Sequence, residues 1–190
     1  MKSRNVLRRA YALGIGLLTV IATVDRAEAQ VPAPPYLQTG AQFITVGVTY
    51  DETALLKLLP RNVNPTPKLT GGINIYHAAA GYNLAPYSSA YLWVDIEGYD
   101  SADGTKGRWM LQGMYGPEPV PTAIRENLGW PVRAGGSRLE VTERGKRGVG
   151  LLGDREVMSV EIKPGAEPCK AVKGTLNYLS LLGVSKTLVV

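Results

Sequence analysis

The sequence predicts an α+β domain that is mostly β, arranged as an antiparallel barrel or cone with a few short helices. Segments rich in β-branched and aromatic residues recur along the chain, and turn signals such as Asp103-Gly104 separate them. Only two or three short stretches have helical periodicity. Because many antiparallel strands with few helices leave sheet edges that must be protected, a closed or nearly closed barrel is the expected arrangement.

The N-terminal residues have the pattern of a secretory signal peptide. A basic start is followed by the apolar run Ala10–Val24, and Ala27-Glu28-Ala29 supplies small residues before a cut after Ala29. The alternative is an uncleaved membrane anchor, but the run is shorter than the ~20 residues that span a bilayer. We therefore predict a signal peptide over 1–29, an extended N-terminal arm over 30–42 and a single domain over 43–190. The expected location is periplasmic or secreted, with no membrane span after cleavage.

The charge of the mature chain argues against nucleic acid as a partner. Removing the leader takes away five of the 21 basic residues and two of the 16 acidic ones, which leaves 16 and 14. A formal net charge of +2 gives no reason to expect nucleic-acid binding. The one basic cluster, Arg144-Gly145-Lys146-Arg147, is interpreted as a solvated hairpin tip.

The first elements of the domain are a strand and a helix. Phe43–Tyr50 is β-branched and aromatic, which predicts a strand. Asp51 is placed to cap a helix over Glu52–Leu59, and Pro60 ends it. The four leucines of that helix are expected to face one side.

A meander follows this helix. Ile73–Ala79 and Ala90–Tyr99 are predicted strands, and Arg108–Tyr115 returns as the partner of the second across the Asp103-Gly104 turn. In Ala90–Tyr99 apolar residues alternate with a set containing Tyr91 and Trp93, which predicts a half-buried strand.

Three prolines then interrupt the sheet before the last elements. Thr122–Leu128 is a predicted short helix that ends at Gly129. Hairpin turns separate three further strands, and the tail from Ala171 is compatible with a helix or a buried strand. The three strands are predicted over Arg138–Glu143, Gly148–Leu152 and Glu156–Ile162.

Cysteine and histidine offer little for catalysis or metal binding. Cys169 is the one cysteine, so no intramolecular disulfide can form, and His77 is the one histidine. A catalytic thiol needs a histidine or cation beside it, and one histidine without spaced carboxylates does not make a metal site. We predict neither a metal nor a cofactor.

The segment Ile124–Arg133, "IRENLGWPVR", resembles the signature of the acetoacetate decarboxylase family. There a Gly-Arg-Glu helix leads into Gly/Ala-aromatic-Pro-Lys-Lys. The surrounding pieces follow in the same order: "VTYDETALLKLLP", "GYNLAPYSSAY", a hairpin and Met114-Tyr115. The similarity covers roughly residues 43–162, so the resemblance implies that family's fold.

The family's chemistry depends on a lysine that forms a Schiff base with a keto acid, beside a second cation. The resemblance puts that lysine at Val132 and the second cation at Arg133. The pocket glutamates fall on Ser89 and near Asn74, and the pocket arginine falls near Ala41. Valine has no lone pair and guanidinium stays protonated, so neither replacement can form an imine.

The resemblance therefore implies that the pocket is kept and its reactive groups are lost. The candidate ligand-binding residues are Arg133, Trp130, Ser89, Tyr87, Asn74 and Tyr76. Alternatively, Arg133 pairs with Glu126 or another acidic residue as a structural bridge, and Trp130 and Tyr87 are plain core residues.

Three functions remain open at this point. The first is an exported protein that binds a small keto, carboxylate or enolic ligand without decarboxylating it. The second is a lyase with altered catalytic residues, in which Lys68, Lys106 or Lys163 reaches the cavity. The third is a structural role in the cell envelope, with the cavity filled by side chains. Relatives of this fold form oligomers, so the resemblance also makes a homo-oligomer plausible.

Overall fold

The computed structural model describes residues 36–84, 86–163, 165 and 174–189. The predicted signal peptide, the start of the arm and Cys169 lie outside them. The described residues form nine strands and two short helices: β1 (Leu37–Thr49), α1 (Glu52–Leu56), β2 (Thr70–Tyr82), β3 (Tyr87–Ile96), β4 (Gly107–Gly116), α2 (Val120–Leu128), β5 (Val132–Thr142), β6 (Gly145–Leu152), β7 (Arg155–Ile162), β8 (Gly174–Ser180) and β9 (Gly183–Val189). Neither helix in this part of the chain has the length and apolarity that crossing a bilayer requires.

Strands β1 to β4 form an antiparallel meander, as the sequence predicted. Strand β1 begins earlier than expected, because its ladder with β2 continues as far as the pair Leu37 and Tyr82. Residues 37–42, which the sequence predicted as the end of an extended arm, are extended and pair with β2 as the start of β1. Backbone pairing over a long neighbouring strand outweighed the glycine at position 40, which adopts a positive φ of 62°.

Helix α1 has the predicted cap but not the predicted length. The Asp51 side chain accepts a hydrogen bond from the Ala54 amide at 2.8 Å, which confirms the N-cap. The helix ends at Leu56 after little more than one turn. One turn cannot point four leucines to the same side, so Leu55 is buried while Leu56 and Leu58 are exposed.

Strand β3 is buried on both faces, so the prediction of a half-buried strand was wrong. Tyr91 and Trp93 pack into an aromatic core on one face. Val94 and Ile96 pack beside Leu55 of α1 on the other. Leu55 of α1 and Val63 of the loop that follows it cover this second side of the strand.

Helix α2 makes the sheet partly parallel. The helix ends at Gly129 in the left-handed conformation, with φ 67°, which confirms the predicted stop. As a crossover between two strands it returns the chain in the original direction, and β5 pairs with β4 in parallel. The sequence predicted antiparallel strands and did not indicate this parallel pair.

One edge of β4 is shared by two strands, and we call this arrangement the fork. Strand β8 pairs in parallel with residues 107–109 of β4, and β5 pairs in parallel with residues 113–115. Residues 110–112 lie between the two pairings. The tail from Ala171, for which the sequence allowed a helix or a strand, forms the β8–β9 hairpin in its described part.

Strands β5 to β7 fold over the meander and enclose the rest of the core. A Cβ at Gly150 would lie 2.8 Å from the Cβ of Ala90, so β6 crosses β3 at close range. Met114 and Ile75 are buried between these layers. The sheet is curled into a half-barrel, and the prediction of a closed or nearly closed barrel was wrong in this respect. The mostly β fold class is confirmed.

The basic cluster at the β5–β6 turn divides between the turn and the strand. Arg144 lies in the turn and is exposed. Arg147 lies on β6, where it pairs with Glu140 at 3.2 Å and with Glu156. The cluster is thus part of a surface ion-pair network, of the kind that contributes little to stability.

Gly135→Ala should destabilise the half-barrel. A Cβ at this position would lie 2.0 Å from the carbonyl oxygen of Leu151, which is backbone and cannot rotate away. We expect the free energy of unfolding to fall by about 1–3 kcal/mol or more, measured by denaturant titration. Gly47→Ala on β1 is the control, because a Cβ there meets nothing within 4 Å. Equal effects of the two substitutions would contradict the close strand packing described above.

Candidate functional site

The fork opens onto a mostly apolar groove of about 540 Å³, which we call the fork groove. Strand β4, the residues after α2 and the tip of the β8–β9 hairpin form most of it. Apolar side chains that line it include Trp109, Leu111, Trp130, Val132, Leu181 and Leu182. Two charged side chains of α2, Arg125 and Glu126, complete the lining.

Val132 is held at the fork groove by the backbone around it. The Gly113 amide donates to the Pro131 carbonyl at 3.0 Å, and Gln112 Nε2 donates to the same oxygen at 2.8 Å. These bonds fix the residue before β5, so the Val132 side chain points inward and is 5% exposed. The position that the family resemblance gives to the imine-forming lysine is therefore a buried apolar position.

Arg133 lies on the opposite side of β5 from Val132. Successive side chains of a strand alternate between its faces, and Arg133 is exposed where Val132 is buried. It does not line the fork groove. The ion pairs among the described residues do not include one between Arg133 and Glu126. The sequence motif identified Arg133 as the residue next to Val132, but it did not predict which face of β5 the Arg133 side chain occupies.

Five tyrosines form a buried group next to Val132, which we call the tyrosine cluster: Tyr76, Tyr87, Tyr91, Tyr115 and Tyr178. Ring centroids lie 5.6–6.3 Å apart between neighbours in it. Trp130 joins the group through Tyr178, with ring centroids 5.2 Å apart. Edge-to-face and offset-stacked contacts at these distances are favourable.

The hydroxyl groups of the cluster make an internal hydrogen-bond network. The hydroxyls of Tyr76 and Tyr87 lie 2.8 Å apart, and Gln38 donates to the Tyr87 hydroxyl. Asn74 Nδ2 donates to the Tyr91 hydroxyl at 2.9 Å. The network satisfies polar groups that would otherwise be costly to bury.

Burial raises the pKa of every tyrosine in the cluster. Loss of hydration is the largest cause in each case, because it penalises the phenolate. Repulsion from neighbouring tyrosines adds to it at Tyr76 and Tyr115. The phenols are therefore neutral hydrogen-bonding groups near neutral pH and cannot act as bases.

Ser89 and Asn74, predicted from the family's glutamate positions, both adjoin the tyrosine cluster. Ser89 is fully buried, and its hydroxyl lies near that of Tyr115. Neither hydroxyl has a partner of ordinary hydrogen-bond geometry among the described residues. Asn74 is half-buried and also accepts a hydrogen bond from Thr45 at 2.9 Å. Because neither residue is ionisable, the cluster contains no general acid or base at these positions.

The structure brings most of the predicted site residues together in the core of the described chain. Tyr76, Tyr87, Trp130 and Val132 belong to one core cluster. Of the six predicted ligand-binding residues, only Trp130 also lines the fork groove. Gly113 joins the two regions, because a Cβ there would lie 2.8 Å from Tyr115 and 2.9 Å from Val132.

Several residues of the site were not predicted from the sequence. Tyr91 was not among the predicted site residues, and the leucines at the β8–β9 turn lay in a tail of uncertain structure. Arg125 precedes the Glu126 of the signature and was not singled out. The recurrence of tyrosine in β2, β3 and β4 could have indicated the cluster, because a buried tyrosine packs its ring in the core while its hydroxyl makes a hydrogen bond.

Two solved structures share this architecture. A crystal structure of acetoacetate decarboxylase from Legionella pneumophila matches with a TM-score of 0.64 and 17% identity, over 96% of this chain and 77% of that one. A second acetoacetate decarboxylase structure matches with a TM-score of 0.58 and 20% identity, over 68% of this chain and 51% of that one. The chain has the acetoacetate decarboxylase fold. No protein-family model and no curated protein sequence matches it.

The acetoacetate decarboxylase fold confirms what the resemblance implied about architecture. Identities this low show a fold and not an activity. The question of chemistry therefore depends on the side chains at Val132 and in the tyrosine cluster.

The tyrosine cluster predicts loss of stability in alkali. A tyrosine in the unfolded chain has a pKa near 10, and the folded values are higher, so folding favours the protonated form. The contribution of the cluster to the free energy of unfolding should be constant below about pH 9, and above about pH 10 it should fall by about 1.4 kcal/mol per pH unit for each buried tyrosine. Thermal unfolding from pH 7 to 12 measures this fall. Ultraviolet absorbance near pH 10 should account for only part of the ten tyrosines while the protein is folded, with the remaining phenolates appearing on unfolding. Ionisation of all the tyrosines near pH 10 in the folded protein would contradict the burial.

Proposed function

We propose that this protein is an exported binding protein for a small organic molecule that carries a keto, enol or carboxylate group. It does not decarboxylate that molecule through an imine. The observation that carries this proposal is Val132, a buried aliphatic residue at the position that the resemblance gives to the reactive amine. The fork groove next to Val132 provides the binding site.

The lining of the fork groove supports binding without imine chemistry. Its described residues include no lysine. Apolar walls with a few polar groups are characteristic of small-ligand sites. Arg125 is the cation that lines the groove, so it takes the role of carboxylate partner that the sequence had suggested for Arg133. The tyrosine cluster supports Val132 and Trp130 from behind as a rigid base.

The alternative of a lyase with a relocated lysine has less support. Lys68, Lys106 and Lys163 are all exposed. An amine that attacks a carbonyl must be neutral, which requires a lowered pKa. The hydrogen bond and charge of Asp100 instead raise the pKa of Lys106.

Val132→Lys should restore imine formation. Burial in the aromatic core would lower the pKa of the new amine and leave part of it neutral. Incubation with acetoacetate and borohydride should then attach a reduced adduct to residue 132, detected by peptide mass mapping. Val132→Met, of similar length without an amine, is the control for folding and should give no adduct. The wild-type protein should also give none, and an adduct on any of its lysines would favour the lyase.

Export can be tested separately from binding. If residues 1–29 are a cleaved leader, expression in a Gram-negative bacterium should yield a periplasmic protein that begins at Gln30. Mass spectrometry of the intact protein measures the cut. Leu17→Arg places a charge in the apolar run and should retain the uncleaved chain in the cytoplasm. An uncleaved wild-type protein in the membrane fraction would instead support the anchor.

A further inference from the structure

The fork groove has exposed leucines on two sides. Leu181 and Leu182, at the β8–β9 turn, are 81% and 65% exposed. Leu58, from the segment after α1, is 62% exposed on the other side. A groove for a small polar keto acid does not need this apolar surface, so the leucines call for another explanation.

The leucines are not required to form the turn that carries them. The Ser180 hydroxyl donates to the Gly183 carbonyl at 3.0 Å and accepts from the Leu182 amide at 3.1 Å. Gly183 supplies the positive φ, 118°. Polar residues are usual at the two central positions of an exposed turn, where this chain has Leu181 and Leu182. The side chain of Leu182 instead covers Gly129, where a Cβ would lie 2.7 Å from Leu182 Cγ.

The size of the fork groove indicates a ligand larger than acetoacetate. Its volume of about 540 Å³ lies in the range of pockets that bury drug-sized molecules. Acetoacetate has only about seven non-hydrogen atoms and would leave most of such a groove unfilled. A ligand with a long apolar body would cover the exposed leucines.

The charges at the groove indicate the head group. Arg125 Nη2 donates to Thr122 Oγ1 at 3.1 Å, and no ion pair of Arg125 occurs among the described residues. Its guanidinium is therefore available to a carboxylate. Glu126 also lines the groove, so this edge carries no net charge. The Glu126 carboxylate repels a doubly charged group such as phosphate more strongly than a single carboxylate, so a monoanion paired with Arg125 is favoured between the two.

We propose that the ligand is an amphipathic monocarboxylate. Its long apolar body lies along the fork groove against Leu181, Leu182 and Trp130, and its carboxylate contacts Arg125. This inference rests on the proposed binding function and adds the chemical class of the ligand.

Binding of a chain-length series tests the inference. Acetoacetate, butanoate, octanoate and dodecanoate are titrated below their micelle concentrations, with tryptophan fluorescence as the readout because Trp109 and Trp130 line the groove. Affinity should rise up to about fourfold for each added methylene. Equal affinity for acetoacetate and dodecanoate would overturn the inference and leave the proposed function intact. No binding of any probe would count against both, and the Val132→Lys experiment would still test the imine chemistry by itself.

Substitutions in the protein test the contacts of the apolar body and of the carboxylate separately. Leu182→Ser should weaken dodecanoate at least tenfold and leave butanoate unchanged, while Leu56→Ser, an exposed leucine outside the groove, is the matched control. Arg125→Gln should weaken dodecanoate about tenfold and leave dodecanol unchanged, because only the acid offers a carboxylate. Equal losses for the acid and the alcohol would contradict the assigned head group.

The same leucines could instead pack against a second copy of the chain. Sedimentation velocity of the wild type and of Leu181→Ser distinguishes this outcome. A monomer that binds dodecanoate supports the inference. A dimer that Leu181→Ser dissociates, with no binding of the probes, would overturn it.

Discussion

Two strands meet the same edge of β4, and the rest of the molecule depends on how they divide it. Backbone groups on a sheet edge need partners, and β8 supplies them at one end of β4 while β5 supplies them at the other. The two strands lie apart in the chain, β5 at Val132–Thr142 and β8 at Gly174–Ser180. The fork groove is the space between them. A single continuous neighbour on this edge would have filled it.

The tyrosine cluster gives the fork its rigid back wall. Five aromatic rings with hydroxyl groups are buried together, and most of their polar ends bond to one another or to Asn74 and Gln38. Such a network is stable only when its members are neutral, and the raised pKa values keep them so. A charged group placed beside Val132 would shift the pKa values of these tyrosines. The nearest charge given for the cluster is the Arg108 guanidinium, which lies over the ring of Trp93 at 5.0 Å and lowers the pKa of Tyr91 and Tyr178 slightly against the effect of burial.

The contrast between the fold and its chemistry is sharpest at two neighbouring residues. Val132 is buried and cannot react, while Arg133 keeps a charge but lies on the exposed face of β5. The chain has the acetoacetate decarboxylase fold, and the resemblance gives the place of that family's reactive amine to a buried valine. Architecture is maintained by many distributed contacts, whereas a reaction depends on one or two side chains, so the second can be lost without the first. The cation that lines the groove is Arg125 on α2.

The sequence by itself determined the mostly β class, the Asp51 cap, the Gly129 stop, the proline break before α2 and the residue at position 132. These features depend on local rules, namely side-chain branching, capping chemistry and the conformational freedom of glycine. It also pointed to Tyr76, Tyr87 and Ser89 through the order of its motifs, and the fold brings these residues together around Tyr115.

Only the tertiary structure decided the rest. Alternation along β3 could not reveal that α1 and the aromatic core cover both of its faces. Turn signals could not show that α2 carries the chain across to pair β5 in parallel, or that the tail returns to the other end of β4. The face taken by Arg133, the exposure of Leu181 and the position of Arg125 follow from those long-range pairings. Residues that lie far apart in the chain meet there, and no local pattern in the sequence records which of them will be neighbours.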